Sequence, residues 1–227
     1  MKKQNILRRG LIILFIFGIV GLIVFFLKPK DKKENIYNKR EEHNYIESEN
    51  SNIFSVSHPV VVSVRKQIGV TVGYDPSYKI LEYPLGDVSI ERGVCSDVVV
   101  RALREAYSMD LQMLVHEDMK VAFNEYPSDW GLRKPDKNID HRRVLNLITY
   151  FNRKGYLVDE NDDLVSYLPG DIITCIIPGN LPHIMIVSDR KTQLGVPLII
   201  HNIGAGTKEE DRLFEFEITG HYRIKNY

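Results

Sequence analysis

Apolar and polar positions divide the chain into three regimes. Residues 11–27 carry no charge and no strongly polar side chain. A run of that length lies at the short end of what spans a bilayer as a helix. Residues 28–52 reverse the pattern, being rich in Lys, Glu, Asn and Ser. Such a segment cannot bury enough surface to order itself. From residue 53 to residue 227 apolar positions return with regular periods, over a length sufficient for one well-buried core.

Helical spacing comes first. Ser57 reads as the N-cap of a helix with Pro59 in its first turn, running to about residue 67 and stopping at Gly69. Val98, Val99, Ala102, Leu103 and Ala106 recur at helical spacing behind Cys95. Asp110 caps a third helix to about residue 124. A fourth covers residues 141–154, with Val144, Leu145, Ile148 and Phe151 on one face and Gly155 at its end. Gly73-Tyr74-Asp75-Pro76 and Tyr83-Pro84-Leu85-Gly86-Asp87 are turn clusters, and residues 127–140 form a loop around Trp130. After Pro169-Gly170-Asp171 the period shortens. Residues 172–177, 183–188, 198–201, 214–218 and 221–224 read as strands at hairpin-like spacing. Helices followed by antiparallel strands predict an α+β fold rather than a doubly wound sheet.

Charge refines the outline. Lys2, Lys3, Arg8 and Arg9 give a basic N-terminus over residues 1–10. No small-residue cleavage pattern follows the apolar run, so residues 11–27 read as an uncleaved transmembrane signal anchor. Basic residues flank it on both sides, and its basic start favours an inside N-terminus with the C-terminal domain outside the cytoplasm. Residues 28–52 then read as a disordered polar stalk, and 53–227 as the domain. That domain holds 20 basic and 24 acidic residues, a net of −4. This excludes a nucleic-acid partner, whose phosphates need a basic surface. Two cysteines make a disulfide framework an unsuitable explanation of the fold.

Cys95, in Gly93-Val94-Cys95-Ser96-Asp97, stands where an irregular stretch becomes a helix. The positive end of a helix dipole favours thiolate there. Thiol catalysis also needs an imidazole and a group that orients it. His183 opens the apolar run Ile184-Met185-Ile186-Val187, and His201 or Asn202 ends Leu198-Ile199-Ile200. Neighbouring strands would let such groups share the face packed against the Cys95 helix. Alternation sends His201 and Asn202 to opposite faces, so only one of them can orient the same ring. Cys175, among isoleucines, reads as core.

Five runs resemble the bacterial domain-of-unknown-function 1287 family over residues 60–225. They are Gly93-Val94-Cys95-Ser96-Asp97, Val115-His116-Glu117-Asp118-Met119, Asn138-Ile139-Asp140-His141-Arg142-Arg143, Pro169-Gly170-Asp171 and His201-Asn202-Ile203-Gly204. More distantly, the order of elements is similar to the NlpC-type cell-wall cysteine peptidases of the papain-like superfamily. Those carry Cys-Ser at a helix start, Pro-Gly-Asp before a strand, a His opening the next strand and a second polar residue on the strand after. Tyr83, twelve residues before Cys95 in a Tyr-x-x-Gly run, matches a tyrosine many of them hold. The resemblance implies a papain-like domain with Cys95 as nucleophile, His183 as base and then acid, His201 (alternatively Asn202) as orienter, and Tyr83 supporting the site. It implies peptidoglycan or a wall peptide as partner and no cofactor. Two departures stand out: Val94 precedes the Cys, and Asp97 follows where Gly is common. Asp97 either raises the thiol pKa as a nearby carboxylate or satisfies backbone donors at the second helical position.

The expected activity is thus cleavage of a peptide or amide bond through a Cys95 thioester. The alternatives are a non-catalytic module holding a wall peptide or protein, and a thiol acyltransferase. His116, His141, Arg142 and Arg143 are candidates for substrate contact, since an arginine binds the carboxylates of a peptide stem. A zinc site from His183, His201, His221 and Asp171 is the chemical rival, but no paired ligand spacing supports it.

Overall fold

The segment Ile172-Ile173-Thr174-Cys175-Ile176-Ile177 is β-branched at all but one position, a composition that suits a strand buried on both faces. In the computed structural model, which describes residues 57–158 and 164–225, it forms strand β1 (Ile172–Ile177). The anchor over 11–27 and the stalk over 28–52 lie outside the described residues. No helix among the described residues is long and apolar enough to cross a membrane.

Four more strands complete one antiparallel sheet: β2 (Leu181–Lys191), β3 (Pro197–Asn202), β4 (Thr207–Glu210) and β5 (Glu217–Tyr222), in the order β4-β3-β2-β1-β5. β1 turns into β2 through Pro178-Gly179-Asn180. The turn needs left-handed backbone at Gly179 (φ 89°) and Asn180 (φ 58°), residue types that tolerate it. The strands expected over 214–218 and 221–224 are instead the single strand β5. Gly220 lies inside it because a Cβ there would meet the Tyr222 hydroxyl at 2.4 Å. β4 was not expected, since Thr207-Lys208-Glu209-Glu210 has no apolar alternation and gains its order by pairing with the edge of β3.

The helices are α1 (Pro59–Arg65), α2 (Cys95–Tyr107), α3 (Leu111–Ala122) and α4 (Val144–Arg153). His58 rather than Ser57 occupies the N-cap position of α1. The continuous helix expected over 141–154 is broken. Residues Asp140–Arg142 make a 3-10 turn and Arg143 is extended before α4 begins. That break rotates the buried face to Val144, Leu147, Tyr150 and Phe151, leaving Leu145 and Ile148 half-buried.

Ile172, Ile184, Ile186 and Ile200 join Val98, Val99 and Leu103 of α2 in one core. Each such fully buried side chain contributes about 1.5–3 kcal/mol. Alternation therefore puts His183, with its register partner Cys175 and with Met185, on the opposite face of the sheet. His201 lies on that face too, beside Ile199. This corrects the expectation that both histidines share the face packed on the Cys95 helix. The cause is the isoleucine spacing, which commits alternate positions of β2 to the helical core.

Candidate active site

The turn before α2 is built around one buried ion pair. Val94 is the extended N-cap residue, Cys95 the first helical residue and Asp97 the third, not the second. Asp97 Oδ2 accepts the Val94 N–H at 2.7 Å, which satisfies a donor the helix leaves unpaired. The same carboxylate holds Arg142 through Nε–Oδ1 at 2.9 Å and Nη2–Oδ2 at 3.0 Å. Arg142 also donates to the carbonyls of Ser77 and Asp75, and its own carbonyl accepts the Ser96 hydroxyl at 2.6 Å. A Cβ at Gly93 would lie 3.0 Å from the Asp97 carboxylate. Gly-x-Cys-Ser-Asp is therefore a clamp in which each residue except Val94 uses its side chain, or the lack of one, to fix the thiol.

Burial pushes the Cys95 thiol up to about 11. Hydrogen bonds from the Ile184 backbone N–H and the Tyr74 hydroxyl pull it down, and the Asp97 charge pushes it further up. The thiolate expected from the helix start is thus not the resting form, because desolvation outweighs the helix terminus. The thiol lies on a cleft of about 460 Å³ whose walls include Tyr74, Trp130, Arg143 and Pro182.

His183 Nε2 lies 2.8 Å from His201 Nδ1, with the rings edge to face. His201 Nε2 lies 3.0 Å from Glu210 Oε2. A carboxylate only accepts, so His201 Nε2 carries the proton and its Nδ1 is the acceptor. His183 Nε2 must then donate, which leaves Nδ1 as the basic nitrogen of His183. Burial, and after it His201 and Arg212, push His183 down to about 3. Burial also lowers His201, while Glu210 opposes that shift. Among the described residues no hydrogen bond joins Cys95 Sγ to the His183 ring; the thiol meets the strand at the N–H of Ile184, one residue further on.

Asn202 goes elsewhere. Its Nδ2 donates to the carbonyls of Gly73 at 3.1 Å and Gly93 at 2.9 Å, tying together the two segments that flank the thiol. Tyr83 is also not at the thiol's hydrogen bonds. Its hydroxyl donates to Glu117 at 2.6 Å and its ring meets His116 edge to face. The tyrosine that reaches the thiol is Tyr74, from a stretch the sequence marked only as a turn. Glu210 was missed as well, because it sits on the unforeseen β4.

His141 is buried, its Nδ1 has no hydrogen-bond partner, and burial pushes it down to about 4. Arg142 is consumed by Asp97, whereas Arg143 lines the cleft. The four side chains weighed as zinc ligands fall into two pairs, His183 with His201 and His221 with Asp171 at 2.7 Å. Among the described residues no group of three or more His, Cys, Asp or Glu converges as a metal site would. Cys175 lies buried in β1, its thiol pushed up to about 12 by burial and by Cys95.

A family model described as a domain of unknown function, DUF1287, matches residues 61–224. The chain is 54% identical over 159 residues to uncharacterized protein YijF of Escherichia coli (strain K12), an alignment covering 70% of this chain and 77% of that one.

Proposed function

The chain belongs to the DUF1287 family, and from its Cys95 cleft we propose that it is a cell-envelope thiol hydrolase that cleaves a peptide or amide bond, with peptidoglycan as substrate. The observation that carries this reading is the relay His183–His201–Glu210, next in sequence to the strand N–H that contacts the Cys95 thiol. A fixed carboxylate sets one ring, that ring sets the next, and the second ring is left with a free basic nitrogen. This is the orienting logic of thiol and serine hydrolases with a second histidine in the middle. The order thiol at a helix start, then antiparallel strands bearing His183 and His201, supports a papain-like, NlpC-type relationship. The apolar run over 11–27 supports the envelope location.

In the proposed reaction the substrate carbonyl enters the cleft and the His183 ring, which alternation leaves on the other face of β2, turns about the strand beside Ile184 so that its Nδ1 takes the Cys95 proton. Sulfur attacks the carbonyl carbon, and the oxyanion is met by the Cys95 backbone N–H. The amine leaves with the proton from His183. Water, deprotonated by the same ring, then hydrolyses the thioester. Because thiol and imidazole both rest neutral, proton transfer accompanies attack rather than preceding it.

The full chain, its Cys95→Ala variant and its His183→Ala variant are incubated with purified peptidoglycan, and released fragments are separated by chromatography. Release by the parent alone is expected. Release that survives Cys95→Ala sinks the thiol mechanism. The neutral, buried thiol also favours a second reading, a module that holds a wall peptide without cutting it. Equal sedimentation of all three proteins with peptidoglycan, without release, would select that reading.

A further inference from the structure

Two adjacent arginines face the Cys95 cleft and differ in what they leave free. Arginine grips a carboxylate best through its Nε/Nη2 edge, as two parallel hydrogen bonds. In Arg142 that edge is filled by Asp97. In Arg143 it is not. Arg143 Nη1 donates to Asp140 at 3.1 Å, and among the described residues that is the one hydrogen bond its side chain makes. The guanidinium lies over the Trp130 ring, 4.2 Å from the centroid. A cation stacked on an indole keeps its in-plane donors directed sideways. Asp140 is itself buried and anchored by the Asp136 N–H, so Arg143 is held at two points.

We propose that Arg143 is the substrate-carboxylate receptor of the Cys95 cleft, its Nε/Nη2 edge binding a carboxylate of the acyl-donor peptide while Trp130 and Asp140 hold the guanidinium in place. The inference rests on Cys95 being the attacking thiol. It narrows the substrate class to peptides with a carboxylate close to the bond cut. Asp129 on the cleft rim disfavours a second carboxylate and suits an ammonium, which fits an amino-acid end carrying both charges.

The test uses thiol alkylation, which needs no knowledge of the natural substrate. The full chain is treated with matched reagents, iodoacetate against iodoacetamide and N-iodoacetyl-β-alanine against its amide. Adducts at Cys95 are quantified by peptide mass spectrometry, and rates are normalised to those of 2-mercaptoethanol. In at least one pair the carboxylate reagent should be preferred about tenfold, the scale of a charge-assisted bidentate contact. Arg143→Gln should abolish the preference. Arg143→Lys, which keeps the charge and loses the edge, should retain a smaller one; it also serves if Arg143→Gln does not fold. A preference that survives in both variants, or none in the parent, overturns the receptor while leaving the thiol reading intact. A Cys95 that reacts with none of the four reagents removes the thiol reading, and the receptor with it.

Discussion

Asp97→Asn separates what the buried ion pair does for the fold from what it does to the thiol. Both side chains of the pair are 3% exposed, so solvent screens little of the interaction. Removing one partner of a buried pair typically costs 3–5 kcal/mol, mainly because the other charge is left without compensation. Here asparagine keeps an acceptor for the Val94 N–H, and Arg142 keeps the Ser77 and Asp75 carbonyls. The lower end of the range therefore applies, about 3 kcal/mol. The thiol responds in the other direction. Asp97 raises the Cys95 pKa, so neutralising it makes the thiol more acidic while the protein becomes less stable. Stability is read by urea unfolding with the single tryptophan, Trp130, as reporter. The thiol pKa is read from the pH dependence of Cys95 alkylation well below the unfolding midpoint. A stability loss under about 1 kcal/mol, the scale of an exposed pair, refutes the clamp. An unchanged or higher thiol pKa refutes the electrostatic coupling.

Other consequences follow from the same contacts. Tyr74→Phe removes a hydrogen bond that lowers the thiol pKa, so Cys95 alkylation should shift to higher pH, whereas Tyr83→Phe should leave the profile in place; equal effects would contradict the assignment. Asn202→Ala removes one donor from each of the Gly73 and Gly93 carbonyls, which keep the N–H groups of Gly93 and Asp75, and the two lost hydrogen bonds should cost about 1–3 kcal/mol in urea unfolding; a neutral result would show that the tether is dispensable. Acid should destabilise the fold. His183 and His141 titrate at about 3 and about 4 in the folded protein, below the ordinary 6.5, so the stability they hold above pH 6.5 is lost as pH falls toward those values. Asp140, pushed up to about 6 by burial, works in the opposite sense from about pH 6 down to its ordinary 3.8, and one group does not offset two. Urea midpoints should therefore drop between pH 7 and pH 4, less steeply in His141→Asn; a flat profile would refute the buried neutral histidines.

What could be read from the sequence, and what could not, follows from which residues carry periodic information. α2 was legible because Val98, Val99, Ala102 and Leu103 repeat at helical spacing, and β1 because its run is short, β-branched and bounded by turns. β4 was not, since Lys208, Glu209 and Glu210 look like any solvated loop until β3 offers them an edge. With β4 went Glu210, the carboxylate behind His201. The face of His183 was misjudged for a related reason. A strand buried on both sides shows no polar alternation, so only contact with α2 reveals which isoleucines belong to the helical core. Tyr74 was passed over because distance along the chain favoured Tyr83. In space, Gly73 bridges Arg92, and the Gly93 N–H donates to the Gly73 carbonyl at 3.3 Å. Those contacts bring residue 74 beside residues 93–95 from twenty-one positions away.

The resting electrostatics constrain any thiol chemistry at this site. A thiol near 11 and an imidazole near 3 cannot exchange into an ion pair unaided, because burial opposes both charged forms. The Asp97 carboxylate adds to the penalty on the thiolate, and the Arg142 guanidinium, bound to it at both oxygens, limits that addition. Glu210 acts at the far end. It stabilises positive charge on His201, which His183 contacts through one hydrogen bond. A proton taken by His183 is thus stabilised through His201 rather than by a direct carboxylate, and Glu210→Gln should weaken the base without touching it. Its measurable form is a fall in Cys95 alkylation rate at neutral pH, with the rate recovering at alkaline pH, where the thiol ionises without help. A uniform fall at every pH would mean that Glu210 only holds β4 to β3.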